Sequence, residues 1–294
     1  MSHIYCTHTS LINCLKKLAT TEGAQQTSDM TTASEGIYID GVLYEKEILK
    51  ADLIRPSLLT VDRNTNMLYF SFLSDDENEC NYKSAKIDLN TKQFTITDVI
   101  KEGYAHAIDQ KTGQVYVGSD DGIYKYDPIT KNTELIGAKG CNILSIYYKD
   151  LLYFTKLDKL RFLHTITDGE TSRYDELQDL EVENFLIDNE DVMFFVNENG
   201  LYSQKKGTCN ATLYEGIPDC TPESLAIDMN GVVHVCYRES IFKVNKETAS
   251  IELLVDLGRD FLATAAFDKN NNIVYAEGTR VVRLVPSADR NGGI

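Results

Sequence analysis

With 294 residues, the chain has room for one large all-β domain or two average ones. Its 29 Lys and Arg against 45 Asp and Glu give a net charge of −16, and no basic run is interleaved with aromatics. Nucleic acid and anionic membrane are thereby excluded as expected partners, since both require a positive face. No stretch nears the roughly 18 consecutive apolar residues of a membrane helix. The 17 Tyr and 11 Phe without Trp, beside many Val, Ile and Thr, suit pleated, half-buried sheet.

The first thirty residues, MSHIYCTHTSLINCLKKLATTEGAQQTSDM, lack the charged start and apolar core of about 7–15 residues that mark a secretory leader. Residues 20–35 are small, polar and without periodicity, so 1–35 reads as an irregular segment and linker. The stretch GIYIDGVLYEKEILKADL (36–53) is strand-like, and from residue 57 one phrase recurs: SLLTVDRNTNMLYF (57–70), AHAIDQKTGQVYV (105–117), ESLAIDMNGVVHVC (223–236). Aligned on the acidic turn, the anchors are Asp62, Asp109, Tyr147 in place of Asp, Asp188, Asp228 and Asp268, at intervals of 47, 38, 41, 40 and 40 residues. Six or seven residues after each comes a ring: Tyr69, Tyr116, Tyr153, Phe194, His234 and Tyr275.

A period near 40 with several short strands per unit is the signature of a β-propeller blade. Within 105–138 the expected order is strand, turn at QKTG, strand QVYVGS, turn at DDG, strand IYKYDP, turn at ITKN and strand TELIGA. Six units fill 57–286, and the sixth stops after three strands. An open edge is an aggregation template, so 36–53 is expected to supply the missing outer strand and latch the ring. The predicted fold is an all-β, six-bladed propeller of four-stranded blades over 36–288, with 289–294 as a tail.

The repeated Asp is expected to fix its turn by accepting backbone N–H bonds, and the ring after it to pack between blades. Function is expected where blades differ. Five residues before the anchors, Ser57, Tyr104, Asn142, Glu183, Glu223 and Ala263 mark the rim where inner strands begin. Asn142, Glu183 and Glu223 offer oxygen ligands for a hard cation such as Ca²⁺. Alternatively Tyr104, His106, Tyr147, Tyr148 and Phe185 line a flat slot for an aromatic ligand, with Asn142 and the two Glu fixing its polar edge. In a third reading the carboxylates are solvated or paired and the aromatics are core.

Other chemistries lack their motifs: no phosphate-cradling Gly loop, no G-x-S-x-G, no H-E-x-x-H. Of the five His, only His106 lies near the rim, too few for a triad or a histidine metal site. None of the seven Cys forms a CxxC pair. Cys209 and Cys220 flank CNATLYEGIPDC, a stretch that reads as a bridged loop, and it contains the chain's only N-x-S/T sequon, at Asn210. Both features point to an extracellular protein.

The phrases GVLYEKEILKADLIRPSLLTVDRNTNMLYFSF, SAKIDLNTKQF and HAIDQKTGQVYVGSDDGIYKYDP resemble the insect ommochrome-binding proteins over about 36–286. That resemblance implies a secreted haemolymph carrier of a tryptophan-derived pigment; it brings no binding motif with it. The fold is also similar to the gluconolactonase and regucalcin propellers, which hold a divalent metal through a Glu, two Asn and an Asp. Here Asn142 matches directly, Glu223 replaces the Asp, Glu183 has no counterpart and Tyr104 stands where an oxygen ligand is expected. The departure favours a non-enzymatic, monomeric binder of a small planar pigment, with no required cofactor, over a metal-dependent lactonase or esterase. A protein-interaction propeller is the third alternative.

Overall fold

The computed structural model describes residues 36–74, 81–97, 99–177, 180–216, 218, 222–258 and 262–287, within a unit spanning Gly36–Ile294. The strands β1 (Ile37–Ile39) and β2 (Val42–Lys50) come first among the described residues. Blade 1 follows as β3 (Ile54–Asp62), β4 (Met67–Leu73), β5 (Tyr82–Asp88) and β6 (Phe94–Ile96). Blade 2 is β7 (Ala105–Asp109), β8 (Gln114–Gly118), β9 (Ile123–Tyr126) and β10 (Thr133–Gly137). Blade 3 comprises β11 (Ile143–Lys149), β12 (Leu151–Lys156), β13 (Leu163–Thr167) and β14 (Glu170–Arg173). Blade 4 has β15 (Asn184–Ile187), β16 (Val192–Asn197), β17 (Gly200–Lys205) and β18 (Thr212–Leu213). Blade 5 has β19 (Ser224–Ile227), β20 (Val233–Tyr237), β21 (Ser240–Asn245) and β22 (Ser250–Asp256). Blade 6 takes β23 (Leu262–Phe267), β24 (Ile273–Glu277) and β25 (Arg280–Pro286) from the C-terminal region and its outer strands from β2 and β1. The architecture is the expected six-bladed propeller.

The repeated phrase builds the innermost hairpin of nearly every blade. In blade 2 the Asp109 carboxylate accepts the N–H of Lys111 at 2.9 Å and the hydroxyl of Thr112 at 2.6 Å, and Gly113, at φ +76°, closes the turn. Asp188, Asp228 and Asp268 each take two backbone N–H groups, two and four residues on, at 2.8–3.0 Å. A buried carboxylate satisfied this way holds its bend and replaces the water it has lost. Blade 3, with Tyr147 in register, turns instead through Asp150 in the left-handed region at φ +59°.

Blades stack face to face, so the middle strands are buried on both sides and read as continuous apolar runs. The five residues of β24 (IVYAE) and of β20 (VHVCY) are all buried. Tyr69 packs with Ile108, Val115, Val117 and Tyr126 between blades 1 and 2. The His234 ring meets Phe267 at 4.6 Å between blades 5 and 6. Burying an aromatic or branched side chain this way stabilises by about 1.5–3 kcal/mol.

The latch forms as expected and adds one strand. Residues 36–53 make a hairpin: Asp40 (φ 49°) and Gly41 (φ 74°) supply a turn with positive φ at both central residues, and β1 extends the sheet to five strands. β2 pairs antiparallel with β25 from Tyr44↔Pro286 to Lys50↔Val281. Charge fastens the seam. Arg283, 11% exposed, reaches Glu47 at 2.6 Å, Asp268 at 3.3 Å and the Leu89 carbonyl at 2.8 Å, while Lys46 pairs with Glu277 at 2.8 Å. Burial pushes the Glu47 carboxyl up, but the hydrogen bonds from Lys92 and Arg283 outweigh it and hold the group below the usual carboxylate range.

The expected Cys209–Cys220 bridge has its second partner, Cys220, outside the described residues; Cys209 is an exposed free thiol. The described segment after Cys209 leads to the outer edge of blade 4. It runs out as β18, an outer strand paired with β17, and Glu215 then bridges to Ser250 of the next blade. Asn210 is exposed beside this strand.

Candidate binding channel

The six inner strands surround a central cavity of about 530 Å³, within the range of ~300–1,000 Å³ usual for small-ligand pockets. It extends along the inner strands to the acidic turns, where Gln110, Asp150 and Asn189 border its mouth. Its aromatic lining comes chiefly from blades 3 and 4. Tyr147 meets Phe185 edge-on at 6.4 Å, and Tyr148, on the other face of β11, stacks on Tyr116 at 5.3 Å and 12°. Alternation along one strand thus sends two adjacent tyrosines to two different blade interfaces.

The predicted site residues fall into two groups. His106, Tyr147, Tyr148 and Phe185 border the cavity, whereas Tyr104, Asn142, Glu183 and Glu223 do not. His106 is buried in the wall: Nε2 lies 3.1 Å from the Ser84 hydroxyl, and burial depresses its pKa to about 4 against a smaller opposing pull from the Tyr104 backbone. It is a neutral imidazole at physiological pH. Tyr147 is pushed up to about 12, mainly by burial; its hydroxyl donates to the Ile187 carbonyl at 2.9 Å.

The second group occupies the opposite end, where inner strands begin, and its members engage one another. The Tyr104 hydroxyl donates to Asn142 Oδ1, and burial raises the phenol's pKa. Arg161 forms an ion pair with Glu183. The Glu223 carboxyl is half-buried and shifted up, first by desolvation; Arg238 pulls it down and Glu183 adds to the rise. Ser57 pairs with Ser71 at 3.4 Å, and the Ala263 side chain lies outside those described. As a cation site this set fits poorly. Asn142 already accepts a proton donor, and a guanidinium already neutralises Glu183. Among the described residues no three His, Cys, Asp or Glu converge to hold a metal.

The turn mouth holds a group that sequence reasoning passed over. Three inner-strand carbonyls, those of Val61, Ile187 and Ile227, receive side-chain donors from other blades: Gln110 Nε2 at 2.9 Å, Tyr147 Oη at 2.9 Å and Arg63 Nη2 at 2.7 Å. Arg63 belongs to blade 1 and Ile227 to blade 5, so the guanidinium extends along the channel mouth, near the Tyr147 hydroxyl. Desolvation lowers its pKa, and Tyr147 and Asp228 oppose the shift. Among the described residues no carboxylate lies within ion-pairing distance of Arg63, whereas Lys111 and Lys149 at the same mouth have Asp150 at 2.7 Å and Asp191 at 3.9 Å. The signal was available: one residue after each anchor stand Arg63, Gln110, Tyr148, Asn189, Met229 and Lys269, as varied as the rim.

No protein-family model matches the chain. Among solved structures it is similar to a gluconolactonase of Xanthomonas campestris, with TM-score 0.68 and 8% identity over 90% of this chain and 99% of that one. It is also similar to the calcium-binding protein regucalcin of Agrobacterium tumefaciens, with TM-score 0.63 and 12% identity over 83% and 94%. Likeness at such identity speaks for the fold alone. In sequence, over 275 residues, 92% of this chain and 98% of its relative, the protein is 28% identical to the ommochrome-binding protein of Manduca sexta, the resemblance its own phrases carry.

Proposed function

We propose that this protein binds a small planar aromatic pigment of the ommochrome class in its central channel, without transforming it. The observation that carries this is a cavity of about 530 Å³ faced by Tyr147, Tyr148 and Phe185, in a chain similar to an ommochrome-binding protein along nearly its whole length. A flat ring packed on such side chains gains about 0.5–1.5 kcal/mol per ring pair beyond area burial. The protein acts as an extracellular monomeric carrier in this reading, and exposed Asn210 is open to glycosylation. Titration with xanthommatin tests it: a saturable shift of the visible spectrum at one ligand per chain is expected, and an unchanged spectrum at high micromolar protein removes the reading.

Metal-dependent lactone hydrolysis is the second reading. Glu183 lies close enough to Glu223 to raise its pKa, and a cation such as Ca²⁺ between them would relieve that repulsion. The Arg161 pair and the Tyr104–Asn142 hydrogen bond stand against it. Lactone turnover that requires added Ca²⁺ and is lost in Glu223→Ala would replace the carrier by the enzyme.

A further inference from the structure

We propose that the channel selects ligands bearing a carboxylate on the aromatic frame, and that Arg63 at the acidic-turn mouth receives it. This deepens the pigment reading and rests on it only for the ligand's size and flatness. A guanidinium offers five N–H donors in a planar fork. In Arg63 one nitrogen, Nη2, donates to the Ile227 carbonyl, and the group borders the cavity. Partial burial removes water that would solvate this charge, and among the described residues no carboxylate lies within ion-pairing distance to replace it, Asp228 acting on it only from farther off. A desolvated cation without a counter-ion is held at a cost that an incoming anion relieves. A carboxylate accepts two parallel N–H bonds from such a fork, which fixes orientation as well as position.

Tyr147 strengthens the case. Its hydroxyl is committed to Ile187, and its ring, edge-on to Phe185, leaves an aromatic wall beside the guanidinium. The wall takes the ligand's rings while Arg63 takes the carboxylate at their edge. The other cations at this mouth do not compete, because Lys111 and Lys149 are already paired. A purely structural Arg63, tying blade 1 to blade 5, would be indifferent to the ligand's charge.

The test uses quinoline-2-carboxylate and quinoline-2-carboxamide, equal in shape and different in charge, as competitors of xanthommatin on the full chain. The acid is expected to displace pigment at least tenfold more effectively than the amide, with that preference lost in Arg63→Gln and only partly kept in Arg63→Lys, which retains charge without the fork. Equal displacement by acid and amide on a wild-type protein that binds pigment overturns the inference and leaves the pigment reading intact. Acid binding over amide without any pigment binding does the reverse. The wild-type comparison needs no variant to fold; for Arg63→Gln, an unchanged melting temperature with the acid preference retained also overturns the inference.

Discussion

The two ends of the channel are built from opposite kinds of sequence. Where inner strands begin, residues differ from blade to blade, and the structure ties them together: Tyr104 to Asn142, Arg161 to Glu183, Glu223 beside Glu183. Where inner strands end, the chain repeats an acidic turn, and there the cavity opens past Arg63, whose charge has no counter-ion among the described residues. Variation marks places free to differ, but it does not say which of them face a void. The repeated Asp locks its turn, and in blades 1, 2 and 4 the residue after it, Arg63, Gln110 or Asn189, borders the channel.

The contrast can be tested from its foundation outward. Deleting residues 36–50 removes β1 and β2 and uncovers the β25 edge; both mouths should be lost together, seen as disappearance of a single sharp melting transition. A truncated chain that melts as sharply as the full one would remove the latch. Next in size, Asp268→Ala leaves Arg283 and two turn N–H groups short of a partner and should cost about 3–5 kcal/mol in denaturant unfolding. Glu183→Gln at the other end, a partly exposed ion pair, should cost under about 1 kcal/mol. Equal losses would erase the distinction between a structural and a tolerant end.

Acid should separate the regions by sign. His106 and His234 are pushed down to about 4 by burial, so between about pH 6.5 and 4 the unfolded chain binds protons that the folded chain refuses. Stability therefore falls as pH drops through that window, at about 1.4 kcal/mol per pH unit for each histidine. Glu223, shifted up, acts oppositely: the folded chain binds its proton first, and acidification through the range just above 4.5 favours the fold. Unfolding free energies against pH for His234→Phe should show a shallower acid slope, and for Glu223→Gln a steeper one. The smallest effects concern the ligand: Tyr147→Leu should weaken pigment binding about three- to tenfold, while Tyr104→Phe, off the cavity, should leave it within twofold in the same titration.

The propeller and its closure were legible because they follow from period and pattern. A 40-residue repeat, turn residues at fixed offsets, and a sixth unit one strand short leave little choice, since an unpaired edge must be covered. The anchors' structural role was legible for the same reason: Asp two residues before a turn N–H is a local arrangement. The β1 strand is signalled only by Asp40-Gly41, whose positive φ angles turn 36–53 from one strand into a hairpin. The fate of Cys209 and Cys220 was not legible, because spacing says nothing of whether a segment doubles back or runs out as an edge strand, as β18 does.

What the sequence determined by itself was everything periodic: the strands, their acidic turns, the ring residues between blades, and six blades sealed by an N-terminal strand. What only the tertiary structure decided was which side chains share a space. Tyr147 and Tyr148 are neighbours in sequence yet pack against blade 4 and blade 2, and Arg63 meets Ile227 from 164 positions away. Closing a ring sets contacts between blades by rotation about its axis, and that rotation leaves no trace in the local pattern of any one repeat.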